Sequence, residues 1–143
     1  MRAVFFALDQ CQDVSVAQQG AREIDADFVP LREGKDAIAL LSKASFCITM
    51  RLHGMVLSSL VGIPCIGLPA NEEDHKIASF AKLCSQTVLL PDEWNVPTLQ
   101  DAAERALATS AKTTPLIIDS VADLRKKAKK DLENILSMVY NRR

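Results

Sequence analysis

One stretch constrains this chain more than any other. It begins at Ser45-Phe46-Cys47-Ile48-Thr49-Met50-Arg51-Leu52-His53-Gly54, continues through Met55-Val56-Leu57-Ser58-Ser59-Leu60-Val61-Gly62, and closes with Ile63-Pro64-Cys65-Ile66-Gly67-Leu68-Pro69. Arg51 and His53 interrupt an otherwise apolar run, which is the pattern of a buried segment. Phe46 to Met50 has the length and β-branched content of a strand buried on both faces, and Ile63 to Leu68 reads the same way. Between them Met55, Val56, Ser59 and Leu60 recur at helical spacing, with Gly62 and Pro64 as the stop signal. The stretch is read as a β-α-β unit.

Parallel strands joined in this way take a right-handed crossover, so Arg51 and His53 are expected at the carboxyl edge of the first strand, where ligands of open α/β sheets bind. The helix amino terminus offers unpaired N–H groups and a partial positive charge there. Arg51 adds a five-donor fork suited to phosphate or carboxylate. The plainer reading makes Arg51 a surface residue paired with a carboxylate and His53 a helix-start residue with a satisfied ring.

Upstream, Ala3 to Leu8 reads as a buried strand followed by the loop Asp9-Gln10-Cys11-Gln12. Asp13 is an N-cap for a helix running through Val14, Ala17, Gln18 and Ala21 to about Ile24. Asp9 therefore sits at a ligand edge or serves as a turn former. Asp27 to Leu31 is a second strand, and Gly34-Lys35-Asp36 opens a helix with a wide buried face of Ala37, Ile38, Leu40, Leu41 and Ala44. Alternation of strand and helix predicts an α/β, doubly wound, mostly parallel sheet of about five strands, Rossmann-like, with a long carboxyl-terminal helix.

Downstream, Pro69 to Asp74 is a polar loop at the carboxyl edge. A helix follows in which Ile77, Phe80, Ala81 and Cys84 form the apolar face and His75 and Lys76 stand near the start. Lys76 in a first turn is opposed by the helix dipole, so it either points into solvent or is held by an anion and acidic neighbours such as Asp74. Thr87 to Leu90 is a fifth strand, and Trp94 in the next loop is either a lid or a half-exposed docking residue. Thr98 is expected to cap a helix carrying Leu99, Ala103, Ala106 and Leu107, and Lys112-Thr113-Thr114-Pro115 to break it. From Leu116 to about Tyr140, Ile117, Val121, Leu124, Ala128, Leu132, Ile135 and Val139 share a stripe. Arg125, Lys126, Lys127, Lys129 and Lys130 cluster there as a solvated face or a contact for an acidic polymer or anionic lipid.

At 143 residues, 48% hydrophobic and 24% charged with net charge −1, the chain has the size and profile of one globular domain, and nothing global points to nucleic acid. Cys11, Cys47, Cys65 and Cys84 lack metal-ligand spacing, so no metal is expected and the thiols read as reduced. Met1 to Leu8 is too brief a run for a signal peptide, and no run has the length of a membrane span, which makes cytoplasmic the expected location.

Met50-Arg51-Leu52-His53-Gly54, then Ser58-Ser59-Leu60-Val61-Gly62-Ile63-Pro64 and Asp74-His75-Lys76-Ile77-Ala78-Ser79-Phe80, resembles the polysaccharide pyruvyl transferase family over roughly Ala3 to Leu90. The resemblance implies the carboxyl-terminal, Rossmann-like domain of a two-domain enzyme similar to B-type glycosyltransferases. It implies transfer of a pyruvyl group from phosphoenolpyruvate to two sugar hydroxyls as a ketal, in cell-surface polysaccharide biosynthesis, with no cofactor. Arg51 and His53 would be catalytic. Arg51, Leu52, His53, Gly54 and Lys76, with Asp9 from the edge argument, would bind substrate. His53 is a candidate for proton transfer, since imidazole titrates near neutrality, and the direction of transfer stays open.

Whole members of that family carry a further amino-terminal domain that faces this one across a cleft where a sugar or lipid-linked oligosaccharide acceptor would sit. The expectation is therefore a carboxyl-terminal half, or a stand-alone domain that works with a partner or as a homodimer, and incomplete for turnover by itself. Two other readings stay open: the corresponding half of a nucleotide-sugar-dependent glycosyltransferase or epimerase, and a non-catalytic remnant used for protein contacts.

Overall fold

The computed structural model describes residues 2–71 and 75–140, the last two of these by backbone alone. The chain divides into two compact units, Met1–Ala44 and Ser45–Arg143. Strand and helix alternate as the sequence predicts, but the strands form a two-stranded and a three-stranded parallel sheet instead of one sheet of about five. Glu72, Glu73 and Asp74, expected in the edge loop, lie outside the described residues.

The first unit holds β1 (Val4–Phe6), α1 (Val14–Glu23), β2 (Asp27–Val29) and α2 (Gly34–Leu41). β1 and β2 pair in parallel, with Val4 opposite Asp27 and Phe6 opposite Val29. α1 follows Asp13, whose carbonyl accepts the Ala17 N–H at 2.9 Å. It approaches β1 closely at Gly20, where a Cβ would stand 2.8 Å from Phe5 Cε1. The Asp36 carboxylate accepts the N–H groups of Arg32 and Glu33 at 2.9 and 3.0 Å, tying down the start of α2. Those two bonds hold the Asp36 carboxyl below its ordinary pKa. Ala37 and Leu41 are buried but Ile38 is exposed, so the buried face of α2 is narrower than its composition predicts.

The second unit holds β3 (Cys47–Thr49), α3 (Leu52–Leu60), β4 (Cys65–Gly67), α4 (His75–Leu83), β5 (Thr87–Val88) and α5 (Val96–Tyr140). The sheet order is β3-β4-β5, all parallel. Central β4 is buried along its whole length, whereas β3 is an edge of this sheet and leaves Ile48 40% exposed, correcting the expectation of burial on both faces. Gly67 faces α3 and α4, and a Cβ there would overlap Met55 and Ile77. Ile66 faces the other way, into a cluster with Leu89 and Ala102 flanked by Phe46, Leu68 and Leu99. Met55, Ile66, Ile77 and Ile117 are fully buried. Each such side chain contributes about 1.5–3 kcal/mol by leaving water.

The turns explain why the strands start where they do. At the end of α3, the Gly62 N–H donates to the Ser59 carbonyl and the Ile63 N–H to the Ser58 carbonyl, both at 3.1 Å, with Gly62 at φ +77°. This is the Schellman motif that the Gly62 stop signal predicts. The ends of α1 and α4 turn the same way with non-glycine residues in the left-handed position, Asp25 at φ 51° and Ser85 at φ 55°. Their closing bonds run from Ala26 N–H to the Ala21 carbonyl (2.8 Å) and from Gln86 N–H to the Ala81 carbonyl (2.9 Å).

α5 corrects two expectations. Its N-cap is Asn95, whose side-chain oxygen accepts the Thr98 N–H at 2.9 Å and whose carbonyl accepts the Leu99 N–H at 3.0 Å, so Thr98 already lies in the first turn. The helix also continues through Pro115 without a break. Proline removes the bond to the Ala111 carbonyl, but Ala111 and Pro115 are both exposed and water can satisfy that oxygen. Buried Ala102, Ala106 and Ile117 hold the helix on either side.

Candidate functional site

At the carboxyl edge of the three-stranded sheet, β3 ends in Thr49 and α3 begins after Arg51, an N-cap residue with extended backbone at φ −110°, ψ 131°. The Thr49 hydroxyl holds this corner: it accepts the Arg51 N–H at 3.0 Å and donates to the Arg51 carbonyl at 3.1 Å. That carbonyl also accepts the Gly54 N–H at 3.0 Å. Sequence reasoning passed over Thr49; its signal was a hydroxyl residue two before a helix N-cap, a spacing at which side chains cap turns.

Gly54 is buried because it packs against the same threonine, and a Cβ on it would lie 2.9 Å from Thr49 Cβ and overlap the hydroxyl oxygen. The fourth residue of Arg51-Leu52-His53-Gly54 thus has a steric reason to be glycine. His53 is exposed in the first turn of α3, and Arg51, at the N-cap before it, is half-buried. By helix geometry the N–H groups of Leu52 and His53 have no acceptor within the helix. The corner therefore combines N–H donors, the positive end of a dipole, a guanidinium and an imidazole.

Lys76 is exposed at the second position of α4, and α4 leaves the carboxyl end of β4 as α3 leaves that of β3. The parallel pairing of β3 with β4 puts both helix starts along one sheet edge. Asp9 belongs to the first unit, where its carboxylate accepts the N–H groups of Cys11 (2.9 Å) and Gln12 (3.1 Å), a turn-forming geometry.

The opposite edge of the same sheet is closed by a second residue that sequence reasoning passed over. The Gln86 side chain accepts the Cys65 N–H at 2.8 Å and donates to the Ser59 hydroxyl at 2.9 Å and the Ile63 carbonyl at 3.2 Å. No local pattern signals this, because its partners lie more than twenty positions away. A cleft of about 230 Å³ lies beside it, lined by Pro64, Gln86, Ala102, Arg105 and Thr109 among others. Its charged group, Arg105, is paired with Asp101 at 2.7 Å.

Beneath α3, Cys47 and Cys65 are register partners on β3 and β4, both buried and free. A hydrogen bond from Cys65 lowers the Cys47 thiol below its ordinary pKa. The same bond, with burial, pushes Cys65 well above it. Among the described residues no group of three or more His, Cys, Asp or Glu side chains is placed to hold a metal ion. No described helix is long and apolar enough to cross a membrane.

Fold and edge together define an α/β protein whose parallel sheet carries an arginine-histidine helix start at its carboxyl edge. Residues 31–71 match the model of the polysaccharide pyruvyl transferase family, which supports assigning the chain to that family. The matched residues run from the loop after β2 through the Arg51–Gly54 corner to the loop after β4, and include neither Asp9 nor Lys76. No curated protein and no solved structure matches the chain.

Proposed function

We propose that the β3–α3 corner is the donor half-site of a polysaccharide pyruvyl transferase, binding the phosphate and carboxylate of phosphoenolpyruvate. The observation that carries the reading is the position of Arg51. It caps α3 within the segment that matches the family, its backbone fixed by Thr49 and backed by Gly54. A planar guanidinium beside unpaired helix N–H groups suits a ligand with two anionic groups better than a lone ammonium would.

In the proposed reaction, carbon 2 of phosphoenolpyruvate gains bonds to two sugar oxygens while its bond to the phosphate oxygen breaks. Of the two hydroxyl protons, one ends on the methylene carbon, making it a methyl group, and the other on the departing phosphate. Arg51 and the α3 N–H groups would stabilise the charge that collects on phosphate. His53 would carry one of the protons, and Lys76, from the neighbouring helix start, would add a cation for the donor. The acceptor is a sugar or lipid-linked oligosaccharide held by parts of the enzyme beyond this corner.

Amide chemical shifts followed during addition of phosphoenolpyruvate test this reading. The Leu52 and His53 N–H signals are expected to move first and furthest. Shifts confined to other parts of the chain would reject it.

A further inference from the structure

Beyond Ile117, α5 leaves the packed part of its unit. Ile117 is fully buried, yet every residue from Arg125 to Met138 is exposed. The apolar spacing does not stop there: Ile117, Val121, Leu124, Ala128, Leu132 and Ile135 follow one another at intervals of three and four, as on one face of a helix. Leu132 and Ile135 are 56% and 57% exposed, with Leu136 and Met138 exposed beside them.

Five cations occupy six consecutive positions of this segment: Arg125, Lys126, Lys127, Lys129 and Lys130, with Lys126 paired to Asp123 at 3.6 Å. At about 3.6 residues per turn, Arg125 and Lys129 flank the stripe on one side and Lys127 on the other, while Lys126 and Lys130 lie on the opposite face. The anions of the exposed part are Asp131 and Glu133, while the chain as a whole has net charge −1, so positive charge is segregated onto this segment.

The combination selects among occupants. An acidic polymer would use the cations and leave the apolar stripe in water. A second copy of this helix would cover the stripe but bring two runs of five cations together around Ala128, in either orientation. An anionic bilayer surface uses both features, apolar side chains at the acyl boundary and cations among the headgroups. The helix is not apolar enough to span a bilayer, but it suits one that lies upon it.

We propose that the exposed carboxyl-terminal part of α5, residues 124–138, binds anionic lipid surfaces. The test is co-sedimentation of the full chain with vesicles of phosphatidylcholine alone and of phosphatidylcholine with phosphatidylglycerol. Two variants accompany it, one carrying Lys126→Glu, Lys127→Glu, Lys129→Glu and Lys130→Glu, the other Leu132→Asp and Ile135→Asp. All these positions are exposed, and circular dichroism checks that both variants stay folded. The chain is expected to pellet with the anionic vesicles only, and each variant to bind about tenfold more weakly or worse. Absence of binding to either vesicle, or equal binding to both, overturns the proposal. So does anionic binding that the Leu132→Asp, Ile135→Asp pair leaves intact, which marks a purely electrostatic surface. A chain that ignores vesicles but forms a dimer dissolved by the same pair shows the stripe to be a self-association face instead.

Discussion

A methyl group on the Cα of Gly54 would overlap the hydroxyl of Thr49, the same hydroxyl that holds the backbone of Arg51. Glycine at one position and threonine at the other thus set where the arginine of the helix start sits. Gly54→Ala is expected to push Thr49 aside, lower stability by about 1–3 kcal/mol through overpacking, and weaken phosphoenolpyruvate binding. Thr49→Ser keeps the hydroxyl and is expected to stay close to wild type, while Thr49→Val strands the Arg51 N–H at a cost of about 1–3 kcal/mol. Denaturant unfolding and ligand titration on the three variants check this order.

Gln86 closes the far edge of the same sheet through Cys65, Ser59 and Ile63. Gln86→Leu is expected to cost about 1–3 kcal/mol, because it leaves the Cys65 N–H without its acceptor. Gln86→Glu keeps that acceptor but loses the donor to the Ile63 carbonyl and the Ser59 hydroxyl, and is also expected to lower stability. Denaturant unfolding of the two variants beside wild type checks both expectations.

The three like turns make a paired prediction. Ser85 holds a left-handed conformation that costs a non-glycine residue about 1–2 kcal/mol, partly offset by the greater unfolded-state freedom of glycine. Ser85→Gly should therefore stabilise by a few tenths up to about 1 kcal/mol. Gly62→Ala should do the reverse, since its φ is +77° and a Cβ would stand 3.1 Å from Ile118 Cγ1. Thermal midpoints that move the same way for both variants would contradict this account of the turns.

Asp36 gives the first unit an acid-sensitive helix start. Its pKa is lowered in the folded state by the N–H groups of Arg32 and Glu33, so its contribution is complete above the ordinary carboxylate range and is lost as pH falls through the lowered folded value. Asp36→Asn is expected to lower the thermal midpoint at neutral pH and to show a shallower decline on acidification than wild type. Parallel acid limbs for the two proteins would show that the cap contributes nothing.

Much of the local structure was legible because its signals are local. Gly62 stops α3 where its φ requires glycine, Asp13 precedes α1, and the apolar runs around Ile48 and Ile66 became neighbouring parallel strands. Strand–helix alternation alone puts Arg51 and His53 at the carboxyl edge, and they are there. What misled were features that depend on distant partners. Pro115 reads as a break because local propensity omits the buried residues that hold α5 on both sides, and Ile48 and Leu60 read as buried though both are exposed. The division of strands between two sheets is likewise a matter of pairing, which no single segment encodes. Thr49 and Gln86 escaped notice because each matters through its hydrogen bonds rather than through its residue type.

Calorimetric titration of phosphoenolpyruvate into the chain, beside Arg51→Ala and with a UDP-sugar as control ligand, tests the central claim most directly. Saturable binding of phosphoenolpyruvate that Arg51→Ala abolishes, with the UDP-sugar silent, is the result expected of a pyruvyl donor half-site. Binding of the UDP-sugar without phosphoenolpyruvate, or phosphoenolpyruvate binding that survives Arg51→Ala, would contradict it.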